Sequence, residues 1–170
     1  MTELKDAKIW GGIGAILTVV GLGFVGFVLK LIGVKKISDA TGNGEIFSKY
    51  LWSAVLAIVA SILMLAGMIS GMLSGHMMGI GAMMIVGAIL MIVAAYFMKQ
   101  SYDMVAEETG VSMFGTVALL YIIGAVLTIV VIGVILILIA AILEIVAFFS
   151  LPDSVPGKAE PTPAGEEITF

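Results

Sequence analysis

The sequence predicts an all-α integral membrane protein: a five-helix transmembrane bundle with short loops and a disordered C-terminal tail. Three observations predict it. Apolar residues make up 61% of the 170-residue chain and charged residues only 12%, whereas a soluble domain has about 45–50% and about 25%. Mean hydropathy is +1.22, and no soluble fold of this length has interior enough to hide so much apolar surface. The apolar residues also fall in unbroken blocks. About 20 such residues, at ~1.5 Å rise each, cross a ~30 Å hydrocarbon core.

The first block spans residues 9–34 and is glycine-rich, with Lys30 near its end. The apolar run after Lys8 is too long for a signal-peptide core, so it is expected to remain as a membrane helix. The second and third blocks span 50–73 and 77–98. The fourth, from Met113 to Leu151, would reach ~58 Å as one helix. It is therefore divided near Ile132-Gly133 into spans 113–131 and 133–151, with Gly133 supplying the backbone freedom of a turn. Together these make a transmembrane domain over 1–151, followed by a disordered, acidic, proline-rich tail over 152–170 that cannot bury enough apolar surface to offset its ordering entropy.

A competing reading breaks the first block at Gly21-Leu22-Gly23 into a re-entrant pair of half-helices, each ~18 Å long and too short to span. Lysine asymmetry bears on the choice. Five spans put Lys30, Lys35, Lys36, Lys49, Lys99 and Lys158 on the cytoplasmic side and Lys5 and Lys8 outside; the re-entrant reading puts all eight inside. The polar stretches 35–49 and 99–112 are read as cytoplasmic loops. Each opens with lysine, carries acids, reaches Thr-Gly and meets an aromatic, Phe47 or Phe114. A degenerate repeat of two hairpins and a chance likeness between loops both fit.

Several chemistries are excluded or disfavoured. The chain has no cysteine, hence no disulfide, thiolate metal site or cysteine nucleophile. All eight basic residues are lysine, and without arginine or a basic patch no nucleic-acid partner is expected. The sequence contains neither His-Glu-x-x-His nor a phosphate-cradling loop. Acidic pairs occur only in polar stretches, so no catalytic residue, cofactor or metal is expected. His76 stands alone in a short turn. The twelve methionines read as flexible packing rather than a copper site.

Glu144 is the most informative residue, since it lies inside the last apolar run about seven residues from Leu151, ~10 Å deep. Intramembrane acids are costly and face a partner or a cavity. Lys30 sits at similar depth on the same side, so the two are expected to form an ion pair or, with Glu144 alone, a proton or cation site. Lys30 could instead snorkel to the headgroups. Gly67, Gly71 and Gly75, with Gly79, recur every four residues, a spacing that lets helix backbones approach closely. Packing within the chain and dimerisation are the two readings.

The chain also resembles a mostly archaeal family of small multi-pass membrane proteins known only as a domain of unknown function, number nine-nine-six. Residues 11–18 (Gly-Gly-Ile-Gly-Ala-Ile-Leu-Thr), 32–39 (Ile-Gly-Val-Lys-Lys-Ile-Ser-Asp), 46–47 (Ile-Phe), 106–111 (Ala-Glu-Glu-Thr-Gly-Val), 120–129 and 142–152 carry the likeness. The resemblance implies a membrane protein of archaeal type and brings no activity or ligand. The first apolar block looks shorter than the family's, where relatives have room for a full helical hairpin. The function expected is a non-enzymatic accessory or scaffold protein of the cell membrane. It would be surrounded by lipid and packed against a second copy or another membrane protein. The alternative is a small oligomeric channel or transporter with Glu144 as its proton- or cation-linked residue.

Overall fold

The computed structural model describes residues 3–74, 77–127 and 132–157. Among these the chain is all-α, and it has six helices rather than the expected five: α1 Lys5–Val19, α2 Gly23–Thr41, α3 Gly44–Ser74, α4 Met77–Thr109, α5 Met113–Leu127 and α6 Ile132–Phe149.

The sixth helix comes from the first block, which is broken at Gly21. Its φ of +94° is open to glycine at no steric cost. The Leu22 N–H closes the turn onto the Leu17 carbonyl at 2.9 Å, and α2 then runs back along α1. The two backbones nearly touch. A Cβ on Gly14 would lie 2.6 Å from the Lys30 nitrogen, and one on Gly33 2.6 Å from Gly11 Cα. The block is therefore a helical hairpin and not a single span. In the last block, Ile132 and Gly133 open α6 and do not form the turn. The connection lies at 128–131, outside the described residues, as does His76.

The polar stretches are mostly helix. Lys35–Asp39 and Lys99–Asp103 are i,i+4 ion pairs on the outer faces of α2 and α4, where such pairs support a helix. Ile37 and Ala40, and Tyr102 and Val105, face inward and are buried. This amphipathic pattern carries α2 to Thr41 and α4 to Thr109. Both helices end by the same device. Thr41 and Thr109 donate their hydroxyls to the carbonyls four residues back, at 2.9 and 2.6 Å. Gly42 and Gly110 follow with φ of +72° and +74°, the left-handed C-terminal cap. Asn43 Nδ2 joins the two turns through Glu108 at 3.2 Å.

Each helix packs chiefly on its neighbours in sequence, and α6 closes against α1, so the six form a ring. Both ends of the described chain lie at the polar end of this ring. The Leu4 N–H donates to the Asp153 carbonyl at 2.8 Å, and Lys8 pairs with Asp153 at 3.5 Å. Lys5 and Lys8 thus share an end with Lys35, Lys36, Lys49 and Lys99, contrary to the five-span arrangement. Residues 152–157, expected to begin the disordered tail, are held in place: Leu151 and Val155 are buried beside Leu4 in the main core. Residues 158–170, with Lys158, lie outside the described residues. Truncation after Ser150 is accordingly expected to destabilise the protein by at least ~2 kcal/mol, the cost of losing a buried aliphatic side chain. Thermal unfolding in detergent measures it, and a tail without contacts would give no change.

Burial and charge follow one gradient. Buried apolar side chains gather at the polar end, where Val34, Ile37, Ile46, Val105, Phe114, Val117 and Phe148 form a compact core. Toward the hairpin tips the large apolar side chains are exposed, from Phe24 at 79% to Leu73 at 83%. No charged residue occurs over 9–29, 50–98 or 109–143. Two stretches, Gly44–Leu73 in α3 and Gly81–Thr109 in α4, are long and apolar enough to cross a membrane.

Candidate functional site

Glu144 lies on α6, on the face that also carries Ala147 and Phe148. That spacing of three and four residues aims all three inward, and all three are buried. The Lys30 ammonium, from α2, stands 3.3 and 3.2 Å from the two carboxylate oxygens. The Tyr102 hydroxyl, from α4, donates to Oε1 in a short hydrogen bond. The Tyr121 hydroxyl, from α5, donates to Oε2 at 2.8 Å. A carboxylate has about four lone-pair sites, and here four donor contacts fill them.

The structure thus brings together Lys30 and Glu144, which the sequence singled out. It adds two tyrosines that sequence reasoning missed: Tyr121, inside an apolar block, and Tyr102, in a stretch read as a loop. A signal was available, because a buried tyrosine hydroxyl needs an acceptor and Glu144 is the one acid in the apolar blocks. The tyrosines are fixed by rings. Tyr50 of α3 stacks on Tyr102 at 5.7 Å between centroids, Phe114 meets Tyr102 edge-on at 5.3 Å, and Phe148 meets Phe114 at 5.1 Å. This aromatic column plugs the polar end of the ring. Five helices meet in the cluster, and α1 is pressed against the helix that carries Lys30.

On the tip side of the cluster the ring encloses a cleft of about 450 Å³. All six helices line it. Thr18, Phe27, Ala54, Ala57, Ile137 and Ala141 are among its walls, and Lys30, Tyr50, Ser53 and Tyr121 form its floor. The cleft exists because α2 packs closely on α1 but only lightly on α3, leaving Lys30 to reach across the ring.

The glycine series does not join this site. Gly67 is buried and Gly71 half-buried on α3, and Gly75 is outside the described residues. One close approach of α3 and α4 that glycine permits is at Gly87, where a Cβ would lie 2.5 Å from Met64 Cγ. Among the described residues no group of three His, Cys, Asp or Glu could hold a metal.

A family model described as "Protein of unknown function (DUF996)" matches residues 22–142. The chain belongs to this family. The DUF996 match takes in Lys30, Tyr50, Tyr102 and Tyr121 and ends two residues before Glu144. The uncharacterized protein MJ1644 of Methanocaldococcus jannaschii is 41% identical over 172 residues, covering 92% of this chain and 97% of that protein. No solved structure matches the chain. The early start of the match, at Leu22, falls on the turn of the first hairpin. The first block, which looked too short for a hairpin, accommodates one because α2 continues seven residues beyond Val34 into the polar stretch.

Proposed function

We propose that this DUF996 protein is a multi-pass protein of the cell membrane that serves as a non-enzymatic accessory or scaffold, packing with partners in the bilayer. The segregation of charge supports the membrane setting. Every described charged side chain lies at or near the polar end, and the exposed Trp10, Trp52 and Tyr96 stand near the level of the cluster, as a girdle at a membrane interface would.

With that level as the interface, the helices reach different depths. From Tyr50 to Ser74, and from Met77 to Tyr102, α3 and α4 run ~36–38 Å, enough to cross a ~30 Å core. From Glu144 to Ile132, α6 runs only ~18 Å, and α2 from Lys30 to Gly23 only ~11 Å. One hairpin crosses; the other two stop near the middle of the bilayer and close a ring against it. All seven described lysines then lie on the cytoplasmic side, which the positive-inside rule favours.

The observation that carries the scaffold reading is the filled coordination of Glu144. Four donor contacts hold its carboxylate, so it behaves as a fastener between helices and leaves no free acceptor for a travelling ion. The test is flux. Proteoliposomes containing the wild type are expected to pass protons and monovalent cations no faster than protein-free liposomes, and Glu144→Gln is expected to change nothing. The transport reading is favoured by one observation, the cleft against Lys30 and Tyr121. A wild-type flux abolished by Glu144→Gln would establish it and displace the scaffold reading.

A further inference from the structure

The floor of the cleft is equipped to hold something. Lys30 has three N–H donors, and among the described residues its ammonium bonds to the two oxygens of Glu144. Its side chain keeps 11% exposure, and Lys30 lines the cleft. Ser53 is 7% exposed, lines the same floor and has no hydrogen-bond partner among the described residues. Two buried donors therefore face a space of about 450 Å³, inside the ~300–1,000 Å³ range of ligand sites. Both open onto the cleft, whose apolar walls offer them no acceptor, so an oxygen acceptor placed there gains hydrogen bonds.

The walls and the mouth narrow the ligand class. Beyond the floor the lining is apolar apart from Thr18, whose hydroxyl is already bonded to the Gly14 carbonyl at 2.9 Å. The described parts of α1, α2, α5 and α6 reach less far than α3 and α4, so in the proposed membrane setting the mouth of the cleft opens into hydrocarbon and not into water. A polar solute has no route in; a lipid chain does. Charge decides the head group. Lys30 and Glu144 offset one another, and no other charged residue lines the cleft. An anionic head would set two negative charges against one ammonium, and a cationic head would face Lys30 without a free carboxylate oxygen to accept from it.

We propose that the cleft is a binding site for a neutral single-chain lipid with an oxygen head group, such as a long-chain alcohol or a monoacyl or prenyl carbonyl compound. Its chain enters from the hydrocarbon core and its oxygen accepts from Lys30 and Ser53. The proposal rests on the membrane reading above, which the experiment tests separately.

The probe is hexadecanol bearing a diazirine on its chain, photolysed with the full-length protein in liposomes, the adducts being mapped by mass spectrometry. The expected result is saturable labelling of the cleft walls at Ala54, Ala57, Ile137 or Ala141, competed by unlabelled hexadecanol and not by palmitate. Labelling of the outward residues Ile58, Ile62 and Ile85 should not saturate. Ala57→Phe, which fills the cleft, should abolish the saturable component and leave the outer labelling intact; that outer labelling reports a folded, inserted protein. Equal competition by palmitate would overturn the assigned head-group chemistry. Outer labelling without saturable wall labelling in the wild type would overturn the site and leave the membrane reading standing. Absence of labelling on both faces would overturn the membrane reading itself.

Discussion

Glu144→Gln is expected to destabilise the protein by about 3–5 kcal/mol, the usual cost of breaking a buried ion pair from one side. The amide keeps roughly the volume of the carboxyl and one good acceptor, so packing changes little. What changes is that Lys30 stays buried without the counter-charge it pairs with. The double variant Lys30→Met with Glu144→Gln should recover most of the loss, because methionine matches the lysine stem and removes the orphaned ammonium. Lys30→Met alone should cost less than Glu144→Gln alone, since Tyr102 and Tyr121 still hold the carboxylate. Unfolding curves in mild detergent for the four proteins give the coupling directly, and additive single losses would mean that Lys30 and Glu144 act independently.

The second large effect is expected at the α1–α2 contact. Gly14→Val and Gly26→Val should each destabilise by about 3 kcal/mol or more, at the upper end of overpacking costs. The obstacle is backbone, which cannot move aside. A Cβ on Gly26 would lie 2.5 Å from both the Gly14 carbonyl oxygen and the Thr18 nitrogen, and one on Gly14 2.7 Å from the Gly26 carbonyl oxygen. Gly14 also abuts the Lys30 nitrogen, so parting the helices draws Lys30 away from Glu144, and the damage should include the ion pair. Gly23→Ala is the control. Nothing lies within 4 Å of a Cβ there and its φ is ordinary, so alanine should be neutral or stabilise by up to about 1 kcal/mol through helix propensity.

These two sites differ in how far they could be read from the sequence. Glu144 announced itself, because an acid flanked on both sides by aliphatic residues has no solvent to meet, and matching depths named Lys30. Tyr102 was hidden because the polar residues around it were read as a loop. On the folded chain Lys99, Asp103, Glu107 and Glu108 decorate the outside of a helix whose inner face is Ser101, Tyr102 and Val105. Composition averages over both faces; only a helical period separates them.

The first block failed for the opposite reason. Its two helices are so alike in composition that nothing but Gly21-Leu22-Gly23 marks the turn, and five further glycines dilute that mark. The additional length that makes the hairpin possible lies beyond Val34, in residues whose charge disguised them as a connection. The glycine series on α3 is read as a close-packing pattern; the close approach of α3 and α4 at Gly87 lies outside that series, on the opposite helix. The central cleft left no trace in the sequence. It arises from where α2 and α3 diverge, a property of the packing of the whole ring.

The most direct measurement concerns depth. The chain is free of cysteine, so single cysteines can be introduced without background and probed with a membrane-impermeant maleimide on sealed and inverted vesicles. Lys5→Cys, Glu45→Cys and Glu107→Cys are expected to react from the same, cytoplasmic side. Leu73→Cys, at the end of α3, should react only from the opposite side. Leu22→Cys, at the tip of the first hairpin, should react from neither. Labelling of Leu22→Cys from the side opposite Glu45→Cys would mean that the first hairpin crosses the bilayer, and would contradict a ring that closes at half depth around Glu144.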